Sequence, residues 1–219
     1  MPHPFDLVMF DLDGTLIDSL PAIAAAANGA LVDLGLPTIE THRFRQLAGQ
    51  GLPYLIREIL GSEHARRFDE AQAAHLKHYR EHARDLAHVF AGVDDLLHAL
   101  AKAKLPFAVL SNKPHADTCD DVSRMMERHA FAAVMGHRDG HAVKPDPASA
   151  LEICSTLHIE PARVLYVGDT AADMQTAVNA GFYALGVTYG FRSRQELEAH
   201  GARQTVDHVM DVFSVAQPA

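Results

Sequence analysis

Asp11 and Asp13 stand two positions apart directly after an apolar run over residues 5–10, in the order Asp11-Leu12-Asp13-Gly14-Thr15. The run has the length and character of a buried strand, and in open parallel α/β sheets ligands bind beyond the carboxyl ends of strands. Residues two apart on an extended chain point the same way. Both carboxylates would therefore face one pocket and repel each other unless something cationic sits between them. Gly14 allows the sharp exit that a strand-to-loop turn needs. An acidic pair after a strand is also what a solvated turn or a helix cap looks like, so the rest of the chain has to decide.

A second apolar run, 107–110, leads into Ser111-Asn112-Lys113. Together this hydroxyl, amide and amine suit an anion, and separately they make an ordinary turn. A third run, 164–167, leads into Gly168-Asp169-Thr170-Ala171-Ala172-Asp173, which sets two carboxylates one helical turn apart at a helix start, where capping is the simpler role. Lys144 lies between Val143 and Pro145, with Asp146 placed to cap a following helix and Pro147 in its first position. The two prolines stiffen the backbone around the lysine, which suits a fixed cation, although a loop lysine is ordinarily surface charge. Gathered in one cleft, Asp11, Asp13, Asp169 and Asp173 would carry about −4, which no site holds without cations. A divalent cation and Lys144 would bring this to about −1, and a proton on Asp13 to near zero, ready for a phosphate dianion. Oxygen-only ligands with room for substrate and water suit Mg²⁺ better than zinc.

With 219 residues, the chain has room for one α/β domain, or one interrupted by a smaller domain. A net charge of −9 without a long basic run argues against a nucleic-acid surface. Further strand-length apolar runs at 132–135 and 184–187 alternate with helical stretches such as 93–102 and 147–157. This alternation predicts the α/β class, a doubly wound parallel sheet with helices on both faces. Residues 16–87 break the rhythm: 22–34, 51–60 and 63–86 read as helical, with no convincing strand between them. They are read as an inserted α-helical cap domain, with 1–15 and 88–219 forming the core domain. Asp18-Ser19-Leu20-Pro21 gives the insert a helix start, with Asp18 and Ser19 as caps or hinge. Cys119 and Cys154 match neither a disulfide framework nor a zinc motif, so both are expected to be reduced and structural. No apolar run approaches ~20 residues and the first five residues carry no charged leader, so a soluble cytoplasmic protein with no membrane partner is expected. Residues 216–219 are expected to fray.

On these motifs the chain resembles the phosphatase branch of the haloacid dehalogenase superfamily. Asp11-Leu12-Asp13-Gly14-Thr15, Ser111-Asn112, Lys144, and Gly168-Asp169 with Asp173 occur in that family's order. The helical insertion after the first of them matches its cap, and the resemblance covers essentially the whole chain. It implies that Asp11 is the nucleophile that forms an aspartyl-phosphate, and that Asp13 is general acid for the leaving alcohol and then base for water. It implies Mg²⁺ held by the Asp11 carboxylate, the backbone carbonyl of Asp13 and Asp169, with Asp173 supporting that site. Ser111, Asn112 and Lys144 would bind phosphoryl oxygens, Lys144 also counting among the catalytic groups, and Thr15 would join the substrate-binding residues. Dehalogenases of the same fold do not need the second aspartate.

Within that branch, Ala48-Gly49-Gln50-Gly51 ahead of a helix and Thr188-Tyr189-Gly190 look like the phosphoglycolate phosphatase group, which implies 2-phosphoglycolate as substrate. Gly136-His137-Arg138-Asp139-Gly140 departs from the Gly-Gly-Asp-type loop common there. The alternatives are a phosphosugar mutase of the β-phosphoglucomutase type and a phosphatase for pyrophosphate or a sugar phosphate. In each case the partner is a small phosphate ester, and the protein a monomer or homodimer. Arg43, Arg45 and Arg57 are candidate contacts to an anionic substrate, or plain exposed arginines. His75, His78 and His82 could share a helical face and hold a metal, although nothing else nearby anchors such a site and exposed histidine is the ordinary case.

Overall fold

β1 (Leu7–Phe10) is buried along its whole length. Val8 and Phe10 enter the core on one face of the sheet, Leu7 and Met9 the core on the other, which is why this strand is a continuous apolar run and not an alternating one. The structure, a computed structural model, describes residues 4–217. Met1, Pro2 and His3 of the N-terminus, and Pro218 and Ala219 of the end expected to fray, lie outside the described residues. Ala216 does not fray: it closes the last helix and is fully buried.

A short antiparallel ribbon of β2 (Ile17–Asp18) and β3 (His88–Val89) brackets four helices, α1 (Leu20–Asp33), α2 (Phe44–Leu47), α3 (Leu52–Leu60) and α4 (Phe68–His78). The chain continues through α5 (Val93–Lys102), β4 (Phe107–Pro114), α6 (His115–Met125), β5 (Ala133–His137) and α7 (Ala148–Leu157). It ends with β6 (Val164–Gly168), α8 (Ala171–Ala180), β7 (Tyr183–Val187), α9 (Arg194–Ala199), β8 (Gln204–Val206) and α10 (Asp211–Ala216). Six strands form one parallel sheet in the order β5-β4-β1-β6-β7-β8. β1 is thus flanked by β4 and β6, and the polar motifs after 10, 110 and 168 leave neighbouring strands on the same edge.

Several local expectations change. β4 does not stop at Leu110 but runs on through Ser111, Asn112 and Lys113, with its register against β5 broken between Leu110 and Pro114. The stretch 63–86 is not one helix. α4 ends at His78, a π turn covers Tyr79–Ala83 and a tight turn follows over Arg84–Leu86. Such widened turns recur at functional sites, and this one aims Tyr79, Arg80 and Arg84 at the buried Asp117 and Asp121 of α6. Ser19 sits at the N-cap of α1, but its hydroxyl is buried without a partner. The cap contact comes from Asp18, whose Oδ1 accepts from Leu20 N–H at 3.4 Å. The alanines of α1 form a seam as well as a good helix: Ala22 and Ala26 pack on Tyr79 and Ala83, while Ala24 and Ala27 face Phe44, Leu55 and Ile56.

β6 ends on Gly168, where a Cβ would lie 2.4 Å from both Cβ and Cγ of Asp173. The strand can turn into α8 only with no side chain at that point. Gly168→Ala is expected to lose about 1–3 kcal/mol through overpacking, read as a lower urea midpoint at unchanged m-value.

Candidate active site

Asp11 leaves β1 with its N–H still paired to Val167 of β6 at 2.9 Å, and its Oδ1 accepts from Leu12 N–H at 2.7 Å. Gly14 then turns the chain at φ +84°, and any Cβ there would sit 2.3 Å from Asp169 Oδ2. The loop after β1 is therefore folded directly onto the carboxylate that follows β6. Asp169 Oδ1 accepts from Thr15 Oγ1 at 3.1 Å, and Oδ2 from Phe191 N–H at 2.7 Å. Asp173 fills both roles open to it. It closes a capping box at the start of α8, where its Oδ2 accepts from Thr170 N–H at 2.9 Å and Thr170 Oγ1 at 2.6 Å. Its Oδ1 meanwhile accepts from Lys144 Nζ at 2.7 Å and Tyr166 OH at 3.2 Å.

Lys144 Nζ also meets Asp11 Oδ1 at 2.8 Å and the Leu110 carbonyl at 3.2 Å, which occupies all three of its donors. Asn112 holds the lysine's backbone: Oδ1 accepts from Lys144 N–H at 2.8 Å and Nδ2 donates to Lys144 O at 3.3 Å. The same Nδ2 donates to Gly49 O in the cap at 3.0 Å. Of the groups expected to grip phosphoryl oxygens, Lys144 and Asn112 are thus engaged within the protein. Thr15 is fully buried and steadies Asp169. Ser111 lines the cleft; its Oγ accepts from Lys113 N–H at 3.2 Å, so its O–H remains to be given.

Asp13 faces the same cleft, but its carboxylate turns to a second lysine. Lys113 Nζ lies 3.0 Å from Asp13 Oδ1 and 2.6 Å from both Asp121 Oδ2 and Tyr79 OH. Burial works against the charge on Lys113, but Asp13, Tyr79 and Asp121 overcome it and raise its pKa. The sequence offered Lys113 as an amine beside Ser111 and gave it no partner. Tyr79 and Asp121 carried no local signal, since their link to Asp13 exists only in three dimensions.

Carboxylate oxygens of Asp11, Asp169 and Asp173 lie within 4.8 Å of one another, and all three residues are buried. One ammonium among three carboxylates leaves the cluster short of positive charge. Burial first, and Asp173 next, push the pKa of Asp11 well above the carboxylate range and that of Asp169 up to about 7. Lys144 is driven the other way: burial opposes its charge, yet Asp11 and Asp173 raise its pKa. An all-oxygen donor set with a charge deficit fits a hard divalent cation. Among the described residues this is the only such group. The three histidines form no ligand cluster among the described residues: His78 binds Asp33 at 2.8 Å with the exposed His82 ring 5.7 Å away, and His75 is buried against Tyr79.

The helical insertion is tied to the loops at the carboxyl ends of the strands. Arg192 donates to the carbonyls of Arg45, of Gln46 at 3.0 Å and of Ala48 at 2.9 Å, and Arg45 reaches back to Gly190 O at 2.5 Å. Arg57 stacks over Phe68 at 5.3 Å, and Arg43 is exposed. None of the three arginines proposed for substrate lines the cleft, because Arg45 and Arg57 are spent on packing the cap. The cleft between insertion and core, about 80 Å³, has Asp11, Asp13, Ser111, Asn112 and Lys113 on its core side. Its cap side is Ile23, Leu47, Leu52, Leu55 and Leu76, with His75 and Tyr79.

A buried aspartate ending the central strand, a second two residues on, a tethered lysine and an acidic cluster under a helical lid define a haloacid dehalogenase-like hydrolase. The chain belongs to that family, which it matches over residues 8–187, and it is a phosphatase. It is 35% identical to a phosphoglycolate phosphatase of Pseudomonas putida, over 97% of this chain and 80% of that one. It is 32% identical to an N-acetylmuramic acid 6-phosphate phosphatase of Pseudomonas aeruginosa, over 97% and 95%. The crystal structure of a predicted phosphoglycolate phosphatase from Haemophilus somnus superposes with a TM-score of 0.91 at 26% identity, covering 99% of this chain and all of that one.

A cation bound only by the folded cluster stabilises the protein by mass action, by about 2.7 kcal/mol at a hundredfold excess over Kd. Thermal unfolding is expected to shift upward on titration with Mg²⁺ after chelation, and the shift to be largely absent in Asp169→Asn. An equal shift in both proteins would remove Asp169 from the site.

Proposed function

We propose that the protein is a Mg²⁺-dependent phosphomonoesterase that works through an aspartyl-phosphate on Asp11, with 2-phosphoglycolate as its substrate. The observation that carries this reading is the placement of Asp11 and Asp13 on one cleft, each with its own lysine. Asp11 attacks phosphorus, and its new P–O bond replaces the bond to the leaving alcohol oxygen, which takes a proton from Asp13. Asp13 then accepts a proton from the water that attacks phosphorus, freeing phosphate and restoring the Asp11 carboxylate. Lys144 holds Asp11 in line, Lys113 orients Asp13, and the Ser111 O–H is available to a phosphoryl oxygen. Asp11 and Asp169, with the backbone carbonyl of Asp13 and support from Asp173, would hold Mg²⁺, which supplies charge neutralisation to the phosphoryl group.

The choice of 2-phosphoglycolate is supported by the Pseudomonas putida relative. The N-acetylmuramic acid 6-phosphate phosphatase relative supports a second reading, a bulkier sugar phosphate. We assign residues 16–87 to the cap unit and 1–15 with 88–219 to the core. The free thiols Cys119 and Cys154 suit a reducing cytoplasm.

Asp11→Asn is expected to fold at least as stably as wild type without metal, since it relieves repulsion among three buried carboxylates, and to lose turnover by at least about 10³-fold. Side-by-side kcat/KM values over phosphoglycolate, sugar phosphates and pyrophosphate test the substrate. A tenfold or greater disadvantage for phosphoglycolate would reject it, and rearranged phosphosugar without free phosphate would indicate a mutase.

A further inference from the structure

The cap side of the cleft is apolar except for groups at one end, and one of these has no task in the reading above. His75, on α4, is 6% exposed, lines the cavity, and its Nδ1 has no partner in the chain. Its neighbour Tyr79, stacked at 6.5 Å, is not equivalent, because the Tyr79 hydroxyl is already engaged with Asp121 and Lys113. A buried polar atom without a partner is unfavourable, and the residue that carries it lines a binding cavity. Burial and then the charge of Lys113, only partly offset by Asp117, keep the ring neutral, with its pKa pushed down to about 4. A neutral imidazole has one N–H to give.

We infer that His75 is the cap's recognition residue for the leaving group, and that it donates a hydrogen bond to a carboxylate on that group. The inference rests on the proposed substrate and adds what meets its far end. No cap arginine reaches the cleft, so an anionic end has no guanidinium to bind. A ring N–H makes a stronger hydrogen bond to a charged acceptor than to a neutral one.

The test compares kcat/KM for 2-phosphoglycolate with that for ethyl phosphate, which has the same carbon count and no carboxylate, in wild type, His75→Phe and His75→Gln. Phe keeps the ring against Tyr79 and lacks the donor; Gln keeps a donor. Wild type is expected to prefer phosphoglycolate, His75→Phe to lose about ten- to hundredfold of that preference, and His75→Gln to keep most of it. A preference retained within about threefold in His75→Phe would overturn the role of His75 while leaving the substrate assignment intact. No preference in wild type would overturn both. Independently of folding in any variant, saturating glycolate with phosphate is expected to shift the His75 imidazole ¹⁵N resonances of wild type. An unmoved signal would also overturn the inference.

Discussion

Three clustered buried carboxylates, only two of them in contact with the one ammonium beside them, set the terms for this protein. Asp11, Asp169 and Asp173 cannot all be charged in a dry site without more positive charge than Lys144 brings. The surroundings can be understood as ways of holding that arrangement in place. Asn112 fixes the lysine's backbone, Thr170 ties one oxygen of Asp173 into a helix cap, and Thr15 and Phe191 occupy the oxygens of Asp169. Gly14 and Gly190 let two loops close on Asp169, where any side chain would collide with it.

The two aspartates of the first motif are alike in sequence and separated in environment. Asp11 belongs to the metal-competent cluster; Asp13 belongs to a second network that crosses from core to cap. Lys113 joins Asp13 to Tyr79 and Asp121, Arg84 lies 3.3 Å from Asp121, and Arg80 binds Asp117 at 2.8 Å. The two carboxylates thus sit in different electrostatic settings only two residues apart, which is how similar groups can acquire the different duties proposed for them.

The sheet was legible because its strands are covered on both faces: residues 7–10, 107–110 and 164–167 are apolar without interruption, and the polar motif that follows each one, Asp11, Ser111 and Gly168-Asp169, marks the edge where the site lies. What was hidden depends on partners distant in sequence. The extension of β4 through Ser111, Asn112 and Lys113 has no apolar signature, since Asn112 is satisfied by Lys144 and Gly49 and Lys113 by Asp13. α6 carries Asp117 and Asp121 on a buried face, a pattern that reads as solvent-exposed until Arg80 and Arg84 are placed against it. Arg45 and Arg57 look like anion binders in sequence, and only the folded cap shows that a carbonyl and an aromatic ring have taken them.

Arg192 and Asn112 hold the lid by its backbone, through the carbonyl oxygens of Gln46, Ala48 and Gly49. Those acceptors are present whatever side chains the lid carries. The partly buried lining residues Ile23 and Leu52 can therefore be exchanged without removing an acceptor from the latch. Admission and closure are encoded in different atoms, so a lineage of such enzymes can drift from one phosphate ester to another while the lid goes on shutting in the same way.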